Sequence, residues 1–135
     1  MEWIYEQQYC FDVTINRFRD GDTCEVHLDC RSCRGSHREA IRIPHIESWE
    51  LRSADHDRAL EAGRTLSERY RGARGILLTS KLRRDGHGRI VSDIALDGVA
   101  LSLQLIEAGL AWPIDSTTPH ADERRRQQEQ QKNNG

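Results

Sequence analysis

No run of apolar residues in the 135-residue chain is long enough to cross a membrane as a helix. The first ten residues, MEWIYEQQYC, hold neither a basic leader nor an apolar signal core. The expected location is therefore the cytoplasm, or a secreted or periplasmic one where a leader has been removed. No membrane partner is expected, and the chain is expected to act as a monomer. Apolar residues are scarce at 36%, against 31% charged, so the core must be compact and the surface heavily charged. The length suits one domain with a modest core. Net charge is also small, at −2, which taken alone argues against a nucleic-acid partner.

What is present is charge that is segregated along the chain. Residues 64–89 hold eight basic side chains against two acids, a net of +6, whereas residues 1–63 sum to −5. That pattern fits a solvated helix face followed by a loop. It also fits a phosphate-facing surface opposite an acidic, cation-binding one.

Periodicity supplies the elements. CFDVTINRF alternates at Phe11, Val13, Ile15 and Phe18 with one break and predicts a strand. Asp20-Gly21 is a turn signal, and TCEVHL continues as a second strand with Cys24, Val26 and Leu28 inward. After a turn-rich insertion, DCRSCRGSHR, comes a third strand in REAIRIPHI, interrupted by Pro44. SADHDRALEAGRTLSERYRG predicts a helix capped by Ser53, with Ala59, Ala62, Gly63, Leu66 and Tyr70 buried and Gly72 ending it. Two strands joined around Asp85-Gly86-His87-Gly88 follow, then a short helix closed by Gly109. The expected class is α+β: a five-stranded OB-like β-barrel packed with two to three helices. Residues 1–9 form an extension, 10–115 the domain, and 116–135 a polar tail.

Two carboxylates, Asp20 and Asp22, flank Gly21, one more than a turn requires. The ordered set DGDT, IRIPHIESWE, DGHGRIVSDIALDG and LIEAGLAW resembles the staphylococcal nuclease (thermonuclease) family, over roughly residues 12–114. The resemblance implies a calcium-dependent phosphodiesterase that cleaves DNA, and RNA as a further substrate, leaving 3′-phosphate ends. It makes Asp22 a direct calcium ligand and Asp20 an acid just behind it. Glu47 stands where the family has a metal-binding Asp, and Ser48 stands where a Thr offers its carbonyl. Glu50 matches the catalytic glutamate; Arg42 and Arg89 match the two arginines that hold the phosphate. Trp49 replaces a family proline, and Gly86 and His87 replace a Lys-Tyr pair that contacts phosphate.

The chemistry suits those residue types. A phosphodiester repels an attacking hydroxide and gathers more charge in the transition state. A hard cation on carboxylate oxygens neutralises that charge. Guanidiniums add paired donors, and a carboxylate opposite them activates water. Each residue also has a plainer role: Arg42 pairing with Glu47 or Glu50, Arg89 capping its loop, Asp22 bonding turn amides. His87, Lys81, Arg83 and Arg84 are the further substrate-binding candidates, and Trp49 either stacks on a base or packs on the barrel. A catalytically silent nucleic-acid-binding barrel is the alternative to an enzyme.

Cys30 and Cys33 form a CxxC, followed by His37, without a second CxxC. With Cys10 they fit a Cys₃His structural zinc site, a disulfide, or unlinked thiols. Cys24 points inward as a small core residue.

Overall fold

A computed structural model describes residues 11–30, 35–79 and 81–114. The expected extension (1–9) and tail (116–135), together with Cys10 and Cys33, lie outside the described residues.

The chain opens with two long strands, β1 (Phe11–Phe18) and β2 (Thr23–Cys30), paired antiparallel. The break in the β1 alternation is a bulge. Ile15 faces Val26 and Arg17 faces Glu25, so Asn16 is the extra residue. Past it, Phe18 returns inward opposite Cys24. Strand β3 (Ser36–Arg42) pairs with β2 all the way from Thr23–Arg42 to Asp29–Ser36. Much of the expected insertion is therefore ladder, because its polar residues satisfy backbone pairing without needing burial.

Pro44 does stop the strand. His45, with φ of 67°, takes the left-handed position that reverses the chain into β4 (Ile46–Glu47). Helix α1 (His56–Tyr70) follows, with Asp55 rather than Ser53 at its N-cap; Ser53 instead accepts the His56 and Asp55 amides from one turn outside. Its expected stripe is buried, together with Ser67. Ser67 Oγ accepts from the Phe18 amide at 2.7 Å and donates to the Phe18 carbonyl at 3.3 Å. Gly63 lets the helix sit on the end of β1: a Cβ there would lie 2.6 Å from the Arg19 carbonyl oxygen. Helix α1 thus clamps the point where β1 enters the Asp20-Gly21 turn.

Beyond Gly72 (φ 84°) run β5 (Arg74–Leu77), β6 (Ile90–Val91), β7 (Ile94–Leu96) and β8 (Val99–Ala100), then α2 (Leu101–Glu107) and β9 (Trp112–Pro113). Two strands were expected between Gly75 and Gly98, joined as a hairpin. Instead β5 pairs with β1 and β7, while β6 crosses to pair parallel with the end of β3. Seven strands form one mixed, strongly curled half-barrel sheet, in the order β6-β3-β2-β1-β5-β7-β8, and β4-β9 form a separate ribbon. Two helices are present among the described residues, within the expected number. The strand count departs from five because short apolar segments do not encode their pairing partners.

Val13, Ile15, Val26, Leu28, Ile41, Leu66, Leu77, Ile90, Leu101 and Leu105 fill the concave side and are at most 1% exposed. No described helix is long and apolar enough to cross a membrane. Cys24 is a buried free thiol whose pKa burial pushes up. Cys30 is disulfide-bonded, so its sulfur is no thiolate for a zinc ion. His37 Nε2 sits 2.8 Å from Glu39 Oε2. At Cys30 the disulfide replaces the zinc reading; Cys10 and Cys33 fall outside the described residues.

Candidate active site

The β1–β2 turn is built by its own aspartate. Asp20 Oδ1 accepts the amides of Asp22 (3.1 Å) and Thr23 (3.0 Å), and the Arg19 amide donates to the Thr23 carbonyl at 2.9 Å. Gly21 does not have positive φ, so the turn does not need glycine for its backbone angles. It needs glycine for space: a Cβ would fall 1.9 Å from Ser48 Oγ and 2.6 Å from the Leu110 carbonyl oxygen. That contact presses the turn onto the segment after β4. The Asp22 carbonyl also accepts the Ile43 amide at 2.9 Å, which places the turn beside Arg42.

One cavity of about 440 Å³ results, lined by Asp20, Asp22, Arg42, Glu47, Ser48, Glu50, His87 and Arg89, among others. Every calcium-site and catalytic candidate named from the sequence therefore lies on a single surface. Arg42 Nη2 is 3.6 Å from Asp22 Oδ2. The same guanidinium donates to the carbonyls of Ile43 and Ile46, the latter at 2.8 Å, which holds it at the strand end. Arg89 Nε donates to Asp85 Oδ2 at 2.8 Å and Nη1 to Thr23 Oγ1 at 3.0 Å. Thr23 Oγ1 in turn donates to Asp22 Oδ1 at 3.0 Å. A chain of bonds thus runs from Asp85 through Arg89 and Thr23 to Asp22. Both arginines are held in place and keep N–H groups beyond those used by the protein.

The acidic side is electrostatically costly. Burial, and then the neighbouring Asp22 carboxylate, push the Asp20 carboxyl up to about 7. Two like charges drawn out of water in this way favour a proton or a cation between them. Among the described residues, no three His, Cys, Asp or Glu side chains gather as a ready-made metal site. The oxygen-bearing residues Asp20, Asp22, Glu47 and Ser48 nonetheless line one cavity, a residue set of the type that suits a hard cation, and calcium accepts irregular oxygen sets completed by water.

Other candidates fall elsewhere. Trp49 is 8% exposed, packed on Ala59 and Ala62 and edge-on to Trp112 at 5.4 Å between ring centres. Of its two expected roles the structure takes packing, not base stacking: β4 and β9 turn it toward α1. Lys81, Arg83 and Arg84 do not line this cavity. Arg84 is committed to Glu39 through both oxygens, at 2.8 and 2.7 Å. Sequence reasoning missed Asp85 as the group that orients Arg89, although its Asp-Gly signature matches that of Asp20. It also missed Thr23 as the link between the two charged sides, and Arg19 and Arg52 on the cavity wall. Those two are marked only by charge, which the sequence spreads widely.

No protein-family model matches the chain, and no curated protein matches it.

Proposed function

We propose that this chain is a calcium-dependent phosphodiesterase acting on DNA, with RNA as a further substrate, on an OB-like barrel of the staphylococcal nuclease type. One observation carries the reading. Four separated stretches (residues 20–23, 42, 47–50 and 87–89) bring two aspartates, two glutamates and two arginines to one cavity. That inventory matches what phosphodiester hydrolysis needs, and it arises from long-range packing rather than from one charged run.

Asp22, Glu47 and the Ser48 carbonyl would hold the calcium, with Asp20 behind Asp22. The bound ion supplies charge neutralisation and a fixed place for one phosphate oxygen. Arg42 and Arg89 donate to the remaining phosphate oxygens, and their bonds strengthen as charge gathers on phosphorus. Glu50, exposed on the cavity rim, takes a proton from the attacking water. The P–O5′ bond breaks, the 5′ oxygen takes a proton from solvent, and the phosphate stays on the 3′ side. Asp85 and Thr23 position Arg89 and do not touch substrate.

The alternative, a catalytically silent nucleic-acid-binding barrel, draws on one observation: both arginines are already engaged by Asp22, Asp85, Thr23 and backbone carbonyls. A gel assay of plasmid and single-stranded DNA with calcium, magnesium or chelator separates the two. Cleavage with calcium and none with chelator is expected. A band shift without cleavage in any condition would leave the binding module.

A further inference from the structure

A second cavity, of about 720 Å³, adjoins the first and shares Arg19, His87 and Arg89 with it. Register explains the continuity. Thr23 pairs with Arg42, Glu25 with Ala40, and His27 with Arg38. Alternate residues of a strand face the same way, so these three pairs form successive steps on one outward face. The first step is the candidate site. From Thr23 to His27 the face extends about 13 Å at the usual rise per residue.

Charge along this groove is unbalanced in a specific manner. Its acids are already neutralised: Glu25 by Arg17 and by Arg19 at 3.1 Å, and Glu39 by Arg84 reaching in from outside the lining. Two cations remain. The Arg38 guanidinium makes no hydrogen bond or ion pair among the described residues. Arg71 gives only its Nε, to the Asn16 carbonyl at 3.2 Å, an acceptor created by the bulge in β1. The small residues Ala40 and Gly72 also line the groove between them, and no Phe, Tyr or Trp does.

We propose that this groove carries a nucleic-acid strand away from the candidate site, with Arg38 and Arg71 holding successive backbone phosphates. The inference rests on reading the adjoining cavity as a phosphate site. Guanidiniums free of protein carboxylates suit phosphate oxygens. A lining without Phe, Tyr or Trp offers bases little to stack on beyond His87 at the end shared with the first cavity, so the groove holds mainly backbone and is largely indifferent to sequence. It also places the extended phosphate surface on the β1–β3 face and at the end of α1, rather than on Lys81, Arg83 and Arg84.

The test measures fluorescence anisotropy of a labelled single strand of about 12 nucleotides and of a dinucleotide, across a salt series. Each lost single-strand phosphate contact lowers the slope of log affinity against log salt by about 0.7. The Arg38→Ala/Arg71→Ala variant should therefore lose about 1.4 of the parent slope. Between about 50 and about 200 mM salt, the parent affinity should fall about sevenfold more than the variant's. Dinucleotide binding should be unchanged. Arg64→Ala/Lys81→Ala, an equal loss of charge at exposed residues outside both cavities, should leave the slope alone. Arg38→Glu, at a side chain with no partner to lose among the described residues, guards against a folding defect in the double variant and should weaken long-strand binding further.

An unchanged slope in the groove variants, or an equal drop in the control pair, overturns the inference. Cleavage of the dinucleotide then still stands for the site. A groove-dependent slope without cleavage supports the groove and overturns only the enzymatic reading.

Discussion

The turn at Asp20-Gly21 and the loop at Asp85-Gly86 are built alike and behave oppositely. In each, one aspartate Oδ1 accepts two backbone amides: those of Asp22 and Thr23 in the first, those of His87 and Arg89 in the second. Neither glycine has positive φ. Yet Asp20 is pushed up to about 7 by burial and by Asp22, whereas Asp85 is held below the ordinary carboxylate range. Burial raises Asp85 too, but its bonds from the Arg89 and His87 amides and from the Arg89 guanidinium outweigh that. The difference teaches that an Asp-Gly signature specifies a local bonding pattern, while the neighbours brought by folding set its charge. Together the two turns supply a strained acidic side and a satisfied basic side, joined at Thr23 and Arg89.

Cutting that joint should have the largest effect. Arg89→Ala, and separately Glu50→Gln across the cavity, should each lower turnover by about 10²–10³, or ~3–4 kcal/mol in the barrier. Circular dichroism should show an intact fold in both. Wild-type rates in either variant would remove that residue from the proposed chemistry.

Steric differences between the turns come next. Gly21→Ala should cost ~1–3 kcal/mol or more in urea unfolding, because Ser48 and the Leu110 carbonyl oxygen occupy the space of the new methyl. Gly86→Ala meets nothing within 4 Å. It should be neutral, or stabilising by ~0.4–1 kcal/mol through the unfolded chain. Equal effects at the two positions would show that the turn does not press on Ser48.

The acidic side can be sharpened through Glu47. Its side chain is one methylene longer than the aspartate of the resembling family, and calcium tolerates irregular oxygen sets better than magnesium does. Cleavage should therefore follow calcium and fail with magnesium. Glu47→Gln should weaken calcium binding in calorimetric titration with a nucleotide diphosphate, and Glu47→Asp should preserve or tighten it. Parental affinity in Glu47→Gln would mean that Glu47 is not a ligand.

The smallest effects are opposite pH slopes. Asp85 is depressed on folding, so its stabilising contribution is present above its ordinary pKa of 3.8 and is lost as pH falls through the folded value. Asp20 is raised, so without a divalent cation its contribution is present below 3.8 and is lost as pH rises through about 7. Asp85→Asn should flatten the acid limb of a stability profile, and Asp20→Asn the neutral limb. Thermal melts in chelator between about pH 3 and about pH 8 would read both, and matching slopes in the two variants would erase the contrast.

Local pattern was legible from residue order alone. The alternations placed β1, β2 and β3, and the spacing of Ala59, Ala62, Gly63, Leu66 and Tyr70 placed the inner face of α1. Asp20-Gly21 and Pro44 marked where the chain turns, and the cavity's four acids were all named, with Arg42 and Arg89 but not Arg19 and Arg52. These features depend on neighbours within a few residues, whose geometry period and turn chemistry dictate.

Tertiary structure decided the rest. It sent β6 to the far edge beside β3, buried Trp49 against Trp112, and paired Arg84 with Glu39 rather than leaving it for phosphate. It also made Gly21 a spacer under Ser48 and left Arg38 and Arg71 as the groove-lining arginines unclaimed by protein carboxylates among the described residues. Each outcome turns on which distant groups meet, at separations such as the 45 residues between Glu39 and Arg84. A charged or aromatic side chain has the same local preferences whether it ends in solvent, in the core or against a partner; only the packed fold assigns the partner and with it the role.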